Sequence, residues 1–406
     1  MTRQDEHEPY YVLYDTDFGL SGLAGRAPGF EKDEQLGADA RSLLESGLPE
    51  HVLRTLWRAA DQERSDPARS GTTVRSWLRA CSDAWPPQTP GRPPFPAGLK
   101  DDVLAEIEAL APDLARAAPT DTVPALRRAV AEAGPDLGFR LLLRVLKTWS
   151  VRVDKARYDR FIRLSDPFGY PVAVVRDGLA VDWPPLDADR RDSAWDFGLS
   201  ALTARFAGEW YEATAEEVVR VVAAGDGALQ APGSAAAELL EDVVRLLDSP
   251  LPDETLGRVW LAAADGGLGV GPDGAGVRPW LEEVAGICRD RLRVTAPGHH
   301  PGAAPARSDL RNAVLSELRD LAPEFASRTV QPHGRALSGA DALGALERVV
   351  AEVDPDLGFR LLLRVLIVLW VPLDPRRHAR YQALGDRFGY GEFHVSDIEG
   401  LVDSDL

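Results

Sequence analysis

Eleven residues, Asp136 to Leu146 (DLGFRLLLRVL), recur letter for letter as Asp356 to Leu366. An exact recurrence of that length makes internal repetition the first constraint on any fold for this chain. The register persists beyond the block at a shift of 220. Val151 matches Val371, Asp154 matches Asp374, Arg160 matches Arg380, and the Phe-Gly-Tyr turn ending at Tyr170 returns at Tyr390. Upstream the same shift pairs Leu126 with Leu346 and Glu132 with Glu352. Earlier blocks align at smaller shifts: Leu48-Pro49 with Leu251-Pro252, Trp57 with Trp260, and Val74 to Leu78 with Val277 to Leu281. Asp17 to Ser21 is similar to Asp196 to Ser200. The second copy carries an extra stretch near Phe206 to Pro232. The chain therefore reads as two tandem units, 1–182 and 195–406, joined by a Pro-rich linker over 183–194.

Periodicity predicts an all-α, mainly helical class. Ala237 to Leu247 places apolar residues at i, i+3, i+4 and i+7, the stripe of an amphipathic helix. Ser249 to Asp253 breaks it, Leu256 to Ala264 restarts it, and Asp265-Gly266-Gly267 ends it. A helix follows from about Val277 to Leu292. Asp102 to Leu110 and Asn312 to Leu321 are amphipathic, each followed by Ala-Pro; Thr122 to Ala133 and Ala342 to Val353 come next. The repeated block is apolar nearly all round except for two arginines four apart, Arg140 and Arg144. Such a helix belongs in a core, and its arginines are expected to pair with carboxylates of a neighbouring helix. Pro171 to Val181 is expected to form a small hairpin, with Glu392 to Val395 at the same place in copy two. Tyr10 to Tyr14 reads as a short extended piece.

Catalytic and metal patterns are absent. The glycines from Gly266 to Gly276 follow no strand and precede no Lys-Ser or Lys-Thr, so they lack the context of a phosphate loop. The seven histidines show no HExxH and no zinc spacing with cysteine; His299-His300 sit in a Pro-Gly loop. No GxSxG occurs. Cys81 and Cys288 occupy non-equivalent positions and read as small buried helix residues in a reducing compartment, expected to be the cytoplasm. Trp57, Trp77, Trp260 and Trp280 recur at helical positions and are expected in the cores. No apolar run reaches the roughly 18 residues of a membrane span. The expectation is a non-enzymatic chain with no cofactor and no metal.

The formal net charge is −18. That field repels nucleic acid and anionic membranes and draws a basic partner, although solubility alone also favours acidity. Copy two shows an ordered series: Phe206 to Tyr211 with Glu209, an acidic helix from Thr214 to Ala223, and a leucine helix ending at Leu247. Leu251-Pro252-Asp253-Glu254 follows, then Pro272-Asp273-Gly274 and Val277 to Leu281. This series, over 200–292, resembles the immunity proteins of contact-dependent growth inhibition systems. Copy one keeps the later part, from Ala40 to Leu78, without the aromatic start, and Ala207-Gly208-Glu209 stands where the family has more polar residues before the Trp. The resemblance implies a protein that binds and neutralises a cognate toxin, with Glu209, Asp253, Glu254 and Asp273 as contact carboxylates. Helix capping is the plainer role for each of them. A helical scaffold for another partner is the second expectation, and an enzyme with a site between the units the third.

Overall fold

Pro135 and Pro355 each open a fourteen-residue helix at its first turn, where the missing N–H costs nothing and the fixed φ suits the helix. In the computed structural model these two helices, Pro135–Thr148 and Pro355–Val368, lie in separate apolar cores. The structure describes residues 34–61, 71–84, 95–96, 98–187, 193, 195–207, 212, 214–266, 276–302, 307–330, 336–391 and 393–403. The chain divides into two compact units between Pro184 and Pro185.

The first unit runs α1 (Glu34–Glu45), α2 (Glu50–Ala60), α3 (Val74–Ala84), α4 (Leu99–Ala117), α5 (Thr122–Glu132) and α6 (Pro135–Thr148). It closes with β1 (Val153–Asp154), α7 (Lys155–Ser165), α8 (Val172–Arg176) and β2 (Val181–Asp182). The second unit runs α9 (Gly198–Ala207), α10 (Ala215–Ala223), α11 (Ser234–Asp248), α12 (Asp253–Ala263), α13 (Val277–Thr295), α14 (Arg311–Asp320) and α15 (Ala322–Ala326). After β3 (Thr329–Val330) and β4 (Leu337–Ser338) come α16 (Gly339–Glu352), α17 (Pro355–Val368) and α18 (Pro375–Phe388). The class is mainly helical, and the described strands are two residues long.

Within each unit the helix before the leucine helix packs closely against it. The contact is tight at one glycine. A Cβ on Gly138 would lie 2.3 Å from Val130 Cγ2, and one on Gly358 would lie 2.3 Å from Val350 Cγ2. Both leucine helices end alike. Ser150 and Trp370 take positive φ, +50° and +49°. The following valine N–H then reaches back to Leu146 at 2.8 Å and to Leu366 at 3.1 Å. That reach satisfies an orphan carbonyl while Val151 and Val371 enter the core. Trp57, Trp260 and Trp280 are core residues and Trp77 is partly buried against the core: Trp57 meets Trp77 edge-on at 4.8 Å, and Trp260 meets Trp280 at 5.6 Å.

The structure corrects three local expectations. Pro171 to Val181 is not a hairpin. Pro171 caps the short helix α8, which buries the consecutive Val174 and Val175, and a strand would have sent those side chains to opposite faces. Val181–Asp182 instead pairs in parallel with Val153–Asp154. In the second unit the region after Gly391 enters a 3-10 helix, Ser396–Leu401, and Leu373 bridges Val402 in parallel. The helix expected to stop at Leu110 continues through Pro112 to Ala117, whereas its counterpart stops at Asp320 and restarts at Ala322. The small antiparallel pair β3–β4 was not expected. Tyr10 to Tyr14 and Asp17 to Ser21 lie outside the described residues.

Candidate functional site

Asp253 and Glu254 stand side by side in the first turn of α12, where carboxylates complement the helix dipole. Asp253 accepts from Arg278 Nε at 2.5 Å, while the Arg278 Nη atoms donate to the Leu247 and Leu251 carbonyls at 2.9 and 2.8 Å. One guanidinium thereby ties the end of α11 and the starts of α12 and α13. The first unit solves the same problem with related residues. Glu50 accepts from the Val74 and Arg75 N–H groups at 2.7 and 3.2 Å, and Arg75 donates to the Leu44 and Leu48 carbonyls. Glu254 pairs with Arg258 one turn on at 2.6 Å, and Arg258 also lies 3.4 Å from Asp341. The structure thus engages Asp253 and Glu254 within the fold yet leaves both side chains more than half exposed, 54% and 56%. Glu209 and Asp273 lie outside the described residues.

The densest polar cluster is one that periodicity alone did not locate. Arg360, at 0% side-chain exposure, donates through Nη1 to Asp242 Oδ2 at 2.9 Å and through Nη2 to Asp242 Oδ1 at 2.7 Å. It also reaches Asp356 at 3.2 Å, the Phe197 carbonyl at 3.0 Å and Ser200 Oγ at 3.2 Å, with the Phe197 ring over its face at 4.4 Å. Burial alone would push this guanidinium down; the Asp242 and Asp356 carboxylates outweigh it and hold it well above the ordinary value. Gly198 makes the arrangement possible. Its φ is +63°, and a Cβ would stand 2.2 Å from Asp242 Oδ2, so only glycine lets the α9 start approach and the Leu199 N–H reach that oxygen at 2.8 Å. In the first unit Arg140 likewise grips Asp39 with both Nη atoms and Asp136 at 3.1 Å. The expectation of carboxylate partners therefore holds for Arg140 and Arg360. The second arginine of each repeated block, Arg144 and Arg364, donates Nε to a backbone carbonyl, that of Ala60 and of Ala263, each at 3.1 Å. These are the last residues of α2 and α12, whose terminal carbonyls need donors.

The second unit has a further buried network. Arg245 bonds Asp354 at 2.6 Å and Glu241 at 3.0 Å. At the aligned places the first unit has Ser42, Gly134 and Ala38. Close by the Arg360 cluster, His394 lies 4.0 Å from Asp196 and 3.4 Å from the Trp195 carbonyl, and is 3% exposed. Burial, reinforced by Arg360, pushes the His394 imidazole down to about 4. Burial pushes the Asp196 carboxyl up to about 6 against the Ser200 hydrogen bond that lowers it. Ser200 donates to Asp196 and to the Phe197 carbonyl and is fully buried, so it is presented as a structural hydroxyl.

Beside Asp196 opens a cleft of about 190 Å³, bordered by Phe197, Ala201, Arg205, Val222, Gln230 and Glu238. It lies between α9, the turn after α10 and the start of α11, so Val222, Gly225 and Gln230 form one of its walls. Both cysteine thiols are pushed up to about 12 by burial. Among the described residues no three His, Cys, Asp or Glu side chains are placed to hold a metal ion, His299 and His300 included. No helix among them is long and apolar enough to cross a membrane.

The charge is unevenly shared. Residues 1–184 hold 24 basic and 28 acidic residues, net −4; residues 185–406 hold 22 and 36, net −14. No protein-family model, no curated protein and no solved structure matches the chain.

Proposed function

We propose that the chain is an acidic helical binding protein that takes a basic protein partner, acting as an immunity protein that neutralises a cognate toxin. The observation that carries this reading is the net charge of −14 over 185–406. Arg360 and Arg245 offset two of the four buried carboxylates Asp242, Asp356, Asp354 and Glu241, so only a small part of the surplus is held in the core. A field of that sign raises the association rate of a basic partner and fixes its orientation. The recurrence of the Arg140–Asp39 and Arg360–Asp242 pairs, and of the Arg75 and Arg278 clamps, supports one ancestral module copied and fused, the second copy being elaborated for binding.

A helical adaptor for a less basic partner is the second reading. The stacked pair Trp195 and Phe393, 4.9 Å apart and 60% and 39% exposed, favours it, because an apolar contact carries no salt dependence. The test is binding of the full chain to basic toxin domains encoded beside its gene, at low and high salt, with toxin activity followed in the same samples. Association that slows with salt and abolishes toxicity is expected. Failure to bind any such domain, or binding indifferent to salt, overturns the immunity reading.

A further inference from the structure

We propose that the cleft beside Asp196 receives one basic side chain, lysine or arginine, of the protein partner; this rests on the basic-partner reading above. Size comes first. Pockets for cofactors and drug-sized ligands start at about 300 Å³, so 190 Å³ suits one side chain. Chemistry comes second. The border combines Phe197, Ala201 and Val222, which suit an alkyl stem, with the carboxylates of Asp196 and Glu238, which suit the charged head.

Glu238 is withdrawn from water, and the Asp196 side chain keeps 21% exposure. Glu238 is 6% exposed and accepts from Gln230 at 3.2 Å. Asp196 accepts from the Phe197 N–H at 2.9 Å and from the Ser200 hydroxyl. Among the described residues no lysine or arginine stands within ion-pair distance of Asp196, since Arg360 and Arg364 act on it from farther off. The cation already on the border, Arg205, turns to Glu212 at 3.1 Å and is half exposed. An incoming ammonium or guanidinium would place an opposite charge at contact distance, where Arg360 and Arg364 act only from farther off. In the first unit Gln35 stands where the second has Glu238, and it donates to Asp39 at 2.8 Å. The neutral side chain means that the Glu238 carboxylate has no counterpart at the aligned place in the first unit.

The probe is arginine blocked at both ends, N-acetylarginine amide, titrated into the full chain, with the equally shaped but neutral citrulline compound as control. Backbone amide NMR shifts of Gly198, Gly225 and Gln230 are expected to move saturably with arginine and not with citrulline. Glu238→Gln should weaken binding about 10- to 100-fold, the size of a lost charge-assisted hydrogen bond. Ala201→Leu, on the partly exposed side of α9, should block it without changing any charge, and serves if the first variant does not fold. Asp166→Asn, at an exposed position of the first unit, should leave it unchanged. Equal shifts with citrulline, or binding that survives both cleft variants, overturns the proposal. Should arginine bind while no basic protein does, the cleft stands and the partner reading falls. Should the partner bind equally to wild type and Ala201→Leu, the cleft inference falls alone.

Discussion

Arg360 and Asp242 meet side by side, two nitrogens to two oxygens at 2.9 and 2.7 Å, with both side chains sealed from water. Removing one partner of such a pair leaves a buried charge uncompensated, which costs about 3–5 kcal/mol. Asp242→Ala should destabilise the second unit by that amount in chemical unfolding of the full chain. Asp39→Ala should cost the first unit less, about 2 kcal/mol, because Arg140 and Asp39 keep 12% and 11% side-chain exposure and water can take over. Equal costs at the two sites would contradict the difference in burial.

The glycine inside each repeated block sits where the preceding helix comes closest. Gly138→Ala drives a methyl toward Val130, and Gly358→Ala toward Val350, each within 2.3 Å of a side-chain carbon. Overpacking of that kind costs about 1–3 kcal/mol. Pairing Gly358→Ala with Val350→Ala should recover part of the loss in thermal unfolding. A Gly358→Ala variant as stable as wild type would show that the helices separate freely there.

The helices, the repeated core helix and the buried tryptophans were readable because each leaves a period or a recurrence in the sequence. Their polar partners left neither. Asp39 and Asp242 look like any acidic residue on an amphipathic helix. The retrievable signal was that they align at the same shift of 203 as Leu48 and Leu251, in step with the recurrence of Arg140 as Arg360. Val172 to Val175 misled because consecutive valines favour a strand in isolation, whereas tertiary burial of Val174 and Val175 together selects a helix. The cleft was invisible for a different reason. Asp196, Gln230 and Glu238 converge only after α10 folds back, and sequence spacing carries no trace of that. Gly198 carries no mark in the sequence of its closeness to Asp242.

Asp196 and His394 should oppose each other in the pH dependence of the second unit. Burial raises Asp196 from 3.8 to about 6, so folding stability rises as pH falls through that window, by up to about 3 kcal/mol. Burial lowers His394 from 6.5 to about 4, so stability falls as pH drops from 6.5 toward 4, by a similar amount. Asp397, also raised by burial and facing both, adds to the Asp196 side; Arg360 and Arg364 keep their charges across this range. Asp354, raised to about 6 by burial and by Asp356, adds to the Asp196 side as well, so wild type should lose no stability between pH 7 and pH 5. His394→Phe, which keeps the ring against Tyr390, should become more stable at pH 5 than at pH 7 in urea unfolding. Asp196→Asn should become less stable. Parallel responses of the two variants would refute the opposition.

Asp253 separates a binding role from a structural one. Its ion pair with Arg278 is half exposed, and such pairs contribute about 0–1 kcal/mol. Arg278 also donates to two carbonyls at helix ends, so Arg278→Ala should cost about 2 kcal/mol or more. Asp253→Asn combined with Glu254→Gln should therefore leave unfolding within about 1 kcal/mol of wild type. The same double variant should slow association with a basic partner at low salt while leaving dissociation nearly unchanged, as expected for exposed charges that steer. A stability loss as large as that of Arg278→Ala would make both carboxylates braces of α12. Unchanged association would remove them from the partner surface.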